Sequence, residues 1–332
     1  MGMKKEDGLI WMPVLLVVLL LISPSGAGFS TEAQSPHLQR KVITVDDEPG
    51  DADYSSIQEA LNYSNSGDTI EVYSGIYYEH GIMIIKENIS LIGIPYELGN
   101  GSDIGKPFIE GQGLADVIHV HARNSTITGF QIENNGGGAY SDVTISNGSN
   151  GCILSNNELS NSLMAVVGCG ASYSKIINNT ISHSGMRQGI LLWGQHILVS
   201  GNNISYVTEG ISIWGAWNCT YIGNTISRCY DYGIVIYGTG YITVSHNTIK
   251  DNPIGILIDA SGKNLIEKNN FINNDQQAYF NQELGFTAGN RWMQNYWGQP
   301  RLLPYPIRGI VFLVIPWVQF DWRPALRPYN IS

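Results

Sequence analysis

Three charged residues recur at one place in a repeated phrase. Relative to the glycine of Gly-Ile-x-(Leu/Ile), Arg187 and Asp231 lie two residues before it and Glu209 lies one before. If the phrases stack on successive turns, these side chains come within roughly 5–10 Å of each other, set by strand spacing. Two carboxylates at such a separation could work on a glycosidic bond as acid and base or as acid and nucleophile. The plainer reading, solvated turn residues, is preferred, because nothing in the sequence marks a perturbed titration. His119 and His121 are a second pair, since alternate strand residues share a face. A tight metal site needs a third or fourth ligand. None is identifiable, so no metal residues are assigned.

A third set is aromatic. Four residues after the repeated glycine come Trp193, Trp214 and Tyr237. The isoleucines of the phrase should point inward, which turns this position outward. An exposed strip on neighbouring turns is expected, with Trp217 nearby. Exposed large aromatics mark contact surfaces, and sugar rings stack on such faces. These three residues are the candidate ligand-binding set. The alternative is that the C-terminal tail folds back over them.

What must position these residues is a repeat. Asn-x-(Ile/Leu/Phe) recurs at Asn157, Asn179, Asn202, Asn224, Asn247 and Asn269, at intervals of 22, 23, 22, 23 and 22 residues. Gly-Ile-x-(Leu/Ile) keeps pace at Gly189, Gly210, Gly233 and Gly255. Apolar residues alternate with period two and Ile and Val dominate, so each segment is strand. A leucine-rich repeat would show a helical half instead. The expected fold is all-β: a right-handed parallel β-helix of about ten coils, one per ~22 residues. Three residues before each key Asn lie Leu154, Ile176, Val199, Tyr221, Val244 and Ile266. Two after lie Leu159, Ile181, Ile204, Ile226, Ile249 and Phe271. Both columns should stack inside. The key Asn, tolerant of left-handed backbone, should form the bend and bond to its neighbours above and below. A short amphipathic helix over Tyr54–Leu61, with Ser55 and Gln58 as a capping box, should cover the N-terminal end.

The N-terminus reads as a targeting segment: Lys4 and Lys5, an apolar run from Leu9 to Ile22, then small residues ending near Ala27. The expected organisation is a signal peptide over 1–27, a linker over 28–41, the β-helix over 42–290, and a closing coil with C-terminal cap over 291–332. The chain is expected to be secreted, cell-surface or periplasmic, and not to span a membrane several times. Nine Asn-x-Ser/Thr sequons follow the leader, at Asn62, Asn88, Asn100, Asn124, Asn147, Asn178, Asn203, Asn218 and Asn330, so a glycoprotein is a possible product of export. Formal net charge is −10 with no basic run, which argues against nucleic acid as a partner. Of four cysteines, Cys152 and Cys219 share an inward column three coils apart, too far to bridge, and read as small core residues. Cys169 and Cys229 are left open.

Ile57-Gln-Glu-Ala-Leu61, followed by Gly67-Asp-Thr-Ile-Glu-Val-Tyr-Ser-Gly-Ile-Tyr-Tyr-Glu79, resembles the opening coil of pectin-lyase-like proteins. The repeats are similar to those of NosD-type periplasmic proteins and of carbohydrate-binding and sugar-hydrolase domains. Asn295-Tyr-Trp-Gly298 and Val318–Leu326 look like their closing segment. The resemblance spans roughly 42–328 and implies the fold more than an activity. It implies a catalytic Asn-Thr-Asp in polygalacturonases, yet here the phrase is Asn-Thr-Ile. It brings in calcium through pectate lyases, but no compact Asp/Glu cluster is found. It brings in copper through NosD, but the Met and Cys residues do not cluster. No cofactor is therefore assigned, with calcium and copper as the alternatives. The leading functional reading is non-catalytic binding of a polysaccharide or cell-surface component. The alternative is a polysaccharide lyase or glycoside hydrolase.

Overall fold

The computed structural model describes residues 40–99, 101–135, 139–184, 187–282, 289–312 and 314–331. The leader reading, nearly all of the linker reading and the Asn100 sequon lie outside them. The fold is an all-β, right-handed solenoid of about 11 turns with one short helix. Each regular turn contributes a strand to three parallel ladders. In one coil these are Glu209–Trp214, Thr220–Ile222 and Thr225–Ser227. The first two ladders merge into one 22-stranded sheet, and the third forms a 10-stranded sheet. They merge because the closing strands Tyr305–Val311 and Ile315–Asp321 pair antiparallel.

The two inward columns are in register as the sequence predicts. Leu154, Ile176, Val199, Tyr221, Val244 and Ile266 are consecutive Cα partners along the second ladder. Leu159, Ile181, Ile204, Ile226, Ile249 and Phe271 are consecutive along the third. All are buried, and each such side chain contributes on the order of 1.5–3 kcal/mol. Trp292 and Trp297 extend the two columns. The glycines of the Gly-Ile phrase are required by close approach. A methyl group on Gly233 would sit 2.6 Å from the Gly255 carbonyl oxygen and 2.8 Å from Ile249.

The left-handed bend falls one residue earlier than the sequence reading placed it. The residue before each key Asn has positive φ: Asn156, Asn178, Gly201, Gly223, His246 and Lys268. The key Asn then turns its amide into the buried corner, where it bonds to the next coil. Asn179 donates its backbone N–H and its amide to Asn202 Oδ1 at 2.9 and 3.1 Å. Asn202 does the same to Asn224, Asn224 to Asn247, and Asn247 to Asn269. Each amide also donates to a carbonyl of the preceding coil, as Asn224 does to Val199. The column ends at Asp321, whose carboxylate accepts from the Asn295 backbone and amide at 2.8 and 3.2 Å. Trp297 Nε1 and the Gln294 and Arg323 N–H groups donate to it as well.

The helix spans Ile57–Tyr63 and buries Ile57, Ala60 and Leu61 at the N-terminal end. Its cap is Ser56, whose hydroxyl accepts from the Glu59 N–H, not Ser55 with Gln58. Gln58 instead accepts from the Met83 N–H. The Glu79 carboxylate takes the Ile57 and Gln58 N–H groups at 2.7 and 3.0 Å, matching a negative charge to the helix N-terminus. Lys86 holds the Leu61 and Asn62 carbonyls at the other end. No helix among the described residues is long and apolar enough to cross a membrane.

Candidate functional site

The outer face of the first ladder carries the aromatic residues. Isoleucines 211, 213, 234 and 236 are buried, so strand alternation turns Trp214 and Tyr237 outward. These two are register partners, with ring centroids 5.1 Å apart and planes inclined by 45°. Trp193, Trp214 and Tyr237 are 40%, 51% and 43% exposed. Trp193 leans away from the pair, over Gly168 and Gly170 of the preceding coil, where the missing side chains leave room for the indole. The strip is thus a pair plus a separate ring. The tail does not reach this face through any described contact. It pairs with Gln276–Gln282, and Tyr329 returns to Asn270 with bonds of 2.8 and 2.9 Å.

Polar side chains tie the pair down. Trp214 Nε1 donates to Ser212 Oγ at 2.9 Å, Ser212 donates to Glu209 at 2.6 Å, and Gln188 Nε2 donates to the same carboxylate oxygen at 3.1 Å. The bend after these strands adds Trp217, Tyr241 and Lys263, on three successive coils. The Trp217 and Tyr241 rings are 6.0 Å apart, and Lys263 Nζ lies 5.1 Å above the Tyr241 ring. With Gly238–Gly240, Ala260 and Gly262 they line a pocket of about 470 Å³. The sequence reading missed Ser212, Gln188, Tyr241 and Lys263. Counting from the repeated glycine, which found the tryptophans, would have found them too: Gln188 lies one before it, Ser212 two after, and Tyr241 and Lys263 eight after.

The charged candidates do not converge into a catalytic set. Glu209 is in register with Gln188 and Tyr232, not with Arg187 or Asp231. Arg187 and Asp231 are exposed just before their strands, and among the described residues neither is ion-paired. Burial, and then the charges of Asp231, Glu209 and Asp259, push the Tyr232 hydroxyl above its ordinary range.

The histidines stack, with ring centroids 4.1 Å apart. His119 Nε2 lies 2.7 Å from Ser146 Oγ. Burial and the neighbouring His121 hold His119 below the ordinary imidazole range. All four cysteines are free and buried. Burial pushes the Cys169 and Cys229 thiols up to about 12.

A compact acidic cluster does exist, contrary to the sequence reading. Asp46, Asp47 and Glu48 follow the first strand, and Glu97 and Asp103 sit on a later excursion pinched by Tyr96 and Ile104. In each of two overlapping triads, Asp46-Asp47-Glu48 and Glu48-Glu97-Asp103, the oxygens lie within 4.8 Å of one another. Folding joins two segments about 50 residues apart, and only three consecutive acids announce this in the sequence.

Among solved structures, XylC in complex with xylose aligns with a TM-score of 0.59 at 13% identity, over 85% of this chain and 73% of that one. DFA-IIIase from Arthrobacter chlorophenolicus A6 in complex with GF2 aligns with 0.54 at 12%, over 76% and 80%. The catalytic unit of the GH87 α-1,3-glucanase from Streptomyces thermodiastaticus strain HF3-3 aligns with 0.53 at 13%, over 72% and 55%. At these identities the likeness is one of fold. No curated protein matches the sequence. One family does match, over residues 61–302: NosD, described as periplasmic copper-binding protein. The described donors do not fit copper. Soft copper sites gather thiolates, thioethers or imidazoles around one point. Here the thiols are sealed in the core, and the two imidazoles stack with planes 25° apart, so their in-plane lone pairs do not meet at an ion. The family match takes in the repeated coils, their Asn corner and the aromatic face together, and by that match the chain belongs to the NosD family.

Proposed function

We propose that this chain is an exported, non-catalytic β-helix protein that binds a glycan, or a surface component bearing one, along the first ladder. The observation that carries the reading is the half-exposed pair Trp214 and Tyr237, with the indole tethered through Ser212 to Glu209. A ring already fixed in place adds contact area with little ordering cost on binding. Trp193 extends the apolar surface on one side and the Trp217–Tyr241 pocket continues it into the bend after these strands. Gln188, Glu209 and Lys263 supply groups for sugar hydroxyls. XylC, a neighbour of the same fold, was solved in complex with the sugar xylose, and DFA-IIIase in complex with GF2. The periplasmic description of the family and the apolar run from Leu9 to Ile22 support export. A lyase or hydrolase built on Arg187, Glu209 and Asp231 is less favoured, because Glu209 is engaged by Ser212 and Gln188, and among the described residues Arg187 is ion-paired with neither acid.

A glycan array followed by titration of any hit tests this. Trp214→Ala and Tyr237→Ala should each weaken binding by about 1–3 kcal/mol and barely move the melting temperature. Unchanged affinity in both variants rejects the binding face. Turnover of the hit that is lost in Glu209→Gln establishes the enzymatic reading instead.

A further inference from the structure

Four carboxylate oxygens in the acidic cluster are buried and have no hydrogen-bond partner: Asp46 Oδ1 and Oδ2, Asp47 Oδ1 and Glu48 Oε2. The Asp46 side chain is 0% exposed. Buried polar atoms are almost always satisfied, and an acceptor can be satisfied only by a donor or a cation. Among the described residues no Lys, Arg or His pairs with Asp46, Asp47, Glu48, Glu97 or Asp103. Backbone N–H groups take only the periphery: Ile76 donates to Asp47 Oδ2 at 3.0 Å, and Leu98 and Asp103 donate to Glu97 at 3.1 and 3.2 Å. Those bonds orient the acids and leave the inward oxygens open.

We propose that Asp46, Asp47, Glu48, Glu97 and Asp103 form a binding site for Ca²⁺, which ties the loop after the first strand to the excursion carrying Glu97 and Asp103. The donors are all oxygen, the set a hard cation takes. Their number and their origin on two loops favour Ca²⁺, which accepts 6–8 oxygens in flexible geometry, over Mg²⁺, which demands a near-ideal octahedron. The mutual repulsion of the acids supports the same view. In each triad the acid oxygens lie within 4.8 Å of one another. A bound dication would remove that repulsion. This site lies at the N-terminal end of the solenoid, apart from the first-ladder aromatics, and is independent of the glycan reading.

The test is calorimetric titration of the chelator-stripped full chain with CaCl₂, beside thermal melts in Ca²⁺, in Mg²⁺ and in EDTA. Saturable Ca²⁺ binding is expected, with a melting temperature that climbs with Ca²⁺ as mass action requires. Asp46→Asn and Glu97→Gln keep side-chain shape and should each weaken Ca²⁺ by at least about tenfold, since affinity follows ligand charge. In EDTA both variants should melt at or above the wild-type temperature, because the uncompensated repulsion is relieved. That result also shows that they fold. An equal response to Mg²⁺ overturns the calcium assignment. Ca²⁺ affinity unchanged in both variants overturns the site. Melting that responds to pH but not to Ca²⁺ overturns the proposal in favour of a proton shared among the acids.

Discussion

Asp46 and Asp321 are both completely buried carboxylates, placed at opposite ends of one corner of the solenoid. Val45 is in register with Val72 and Gly93, Gly93 packs on Gly129, and Phe130 donates to Asn157. Asp46, Tyr73, Ile94, Phe130 and Asn157 therefore follow one another down this corner, which continues through the Asn column to Asp321. At the C-terminal end, five N–H donors from the last coil meet the acid. At the N-terminal end, Asp46 meets other acids. The difference lies in the side chains between. Asn carries a donor and an acceptor, so a stack of identical residues satisfies itself. Asp carries only acceptors, so it can end such a stack but cannot start one without a partner from elsewhere.

Deleting a central rung should break this pattern most severely. Asn224→Ala leaves the Asn202 N–H and amide without an acceptor and the Val199 carbonyl without its donor. A loss of about 3–5 kcal/mol is expected by chemical denaturation, from several unsatisfied buried groups together. A loss below about 1 kcal/mol would mean water replaces the rung and the corner is not sealed. Asp321→Asn is the sharper probe, because it puts an NH₂ among donors while keeping the shape. About 2–3 kcal/mol should be lost, whereas a neutral result would make the two ends equivalent.

A third buried acid gives a pH test. Asp142 is held well above the ordinary carboxyl range by burial, with Ser162 donating to one oxygen and the other unpaired. Its folded form keeps the proton longer than its unfolded form, so it contributes stability below the unfolded value near 3.8. That contribution is lost as pH rises through the folded value. Asp142→Asn should therefore flatten the fall in stability above about pH 4 and add roughly 1 kcal/mol at neutral pH. An unchanged pH profile would show that Asp142 ionises freely in the folded chain. The smallest effect tests where the bend lies. Lys268→Gly, at positive φ, should change stability by no more than about 0.5–1 kcal/mol, toward gain. The same substitution at Asn269 should cost several times more.

The central coils were legible because a column repeats six times, so register, inward positions and the Asn rungs follow from the spacing alone. Trp214 and Tyr237 followed from the same alternation. The lean of Trp193 over Gly168 and Gly170 did not, because it depends on two missing side chains in another coil. The bend was assigned to the key Asn and not to the Asn, Gly, His or Lys before it, since Asn is the repeated residue that tolerates left-handed backbone. The acidic cluster was missed because it joins one loop to another across the irregular first coils, where no period carries the reading.

Every rung of the Asn column points the same way, its side-chain oxygen accepting from the Asn before it and its backbone N–H and one amide hydrogen donating to the Asn after it. The column is thus a one-way wire of aligned dipoles, with its electropositive terminus at the last coil. A carboxylate at that terminus acts as both counter-charge and full stop. Having no hydrogen to pass on, Asp321 forbids a further rung. Where this column stops is written into the choice of acid over amide at a single position.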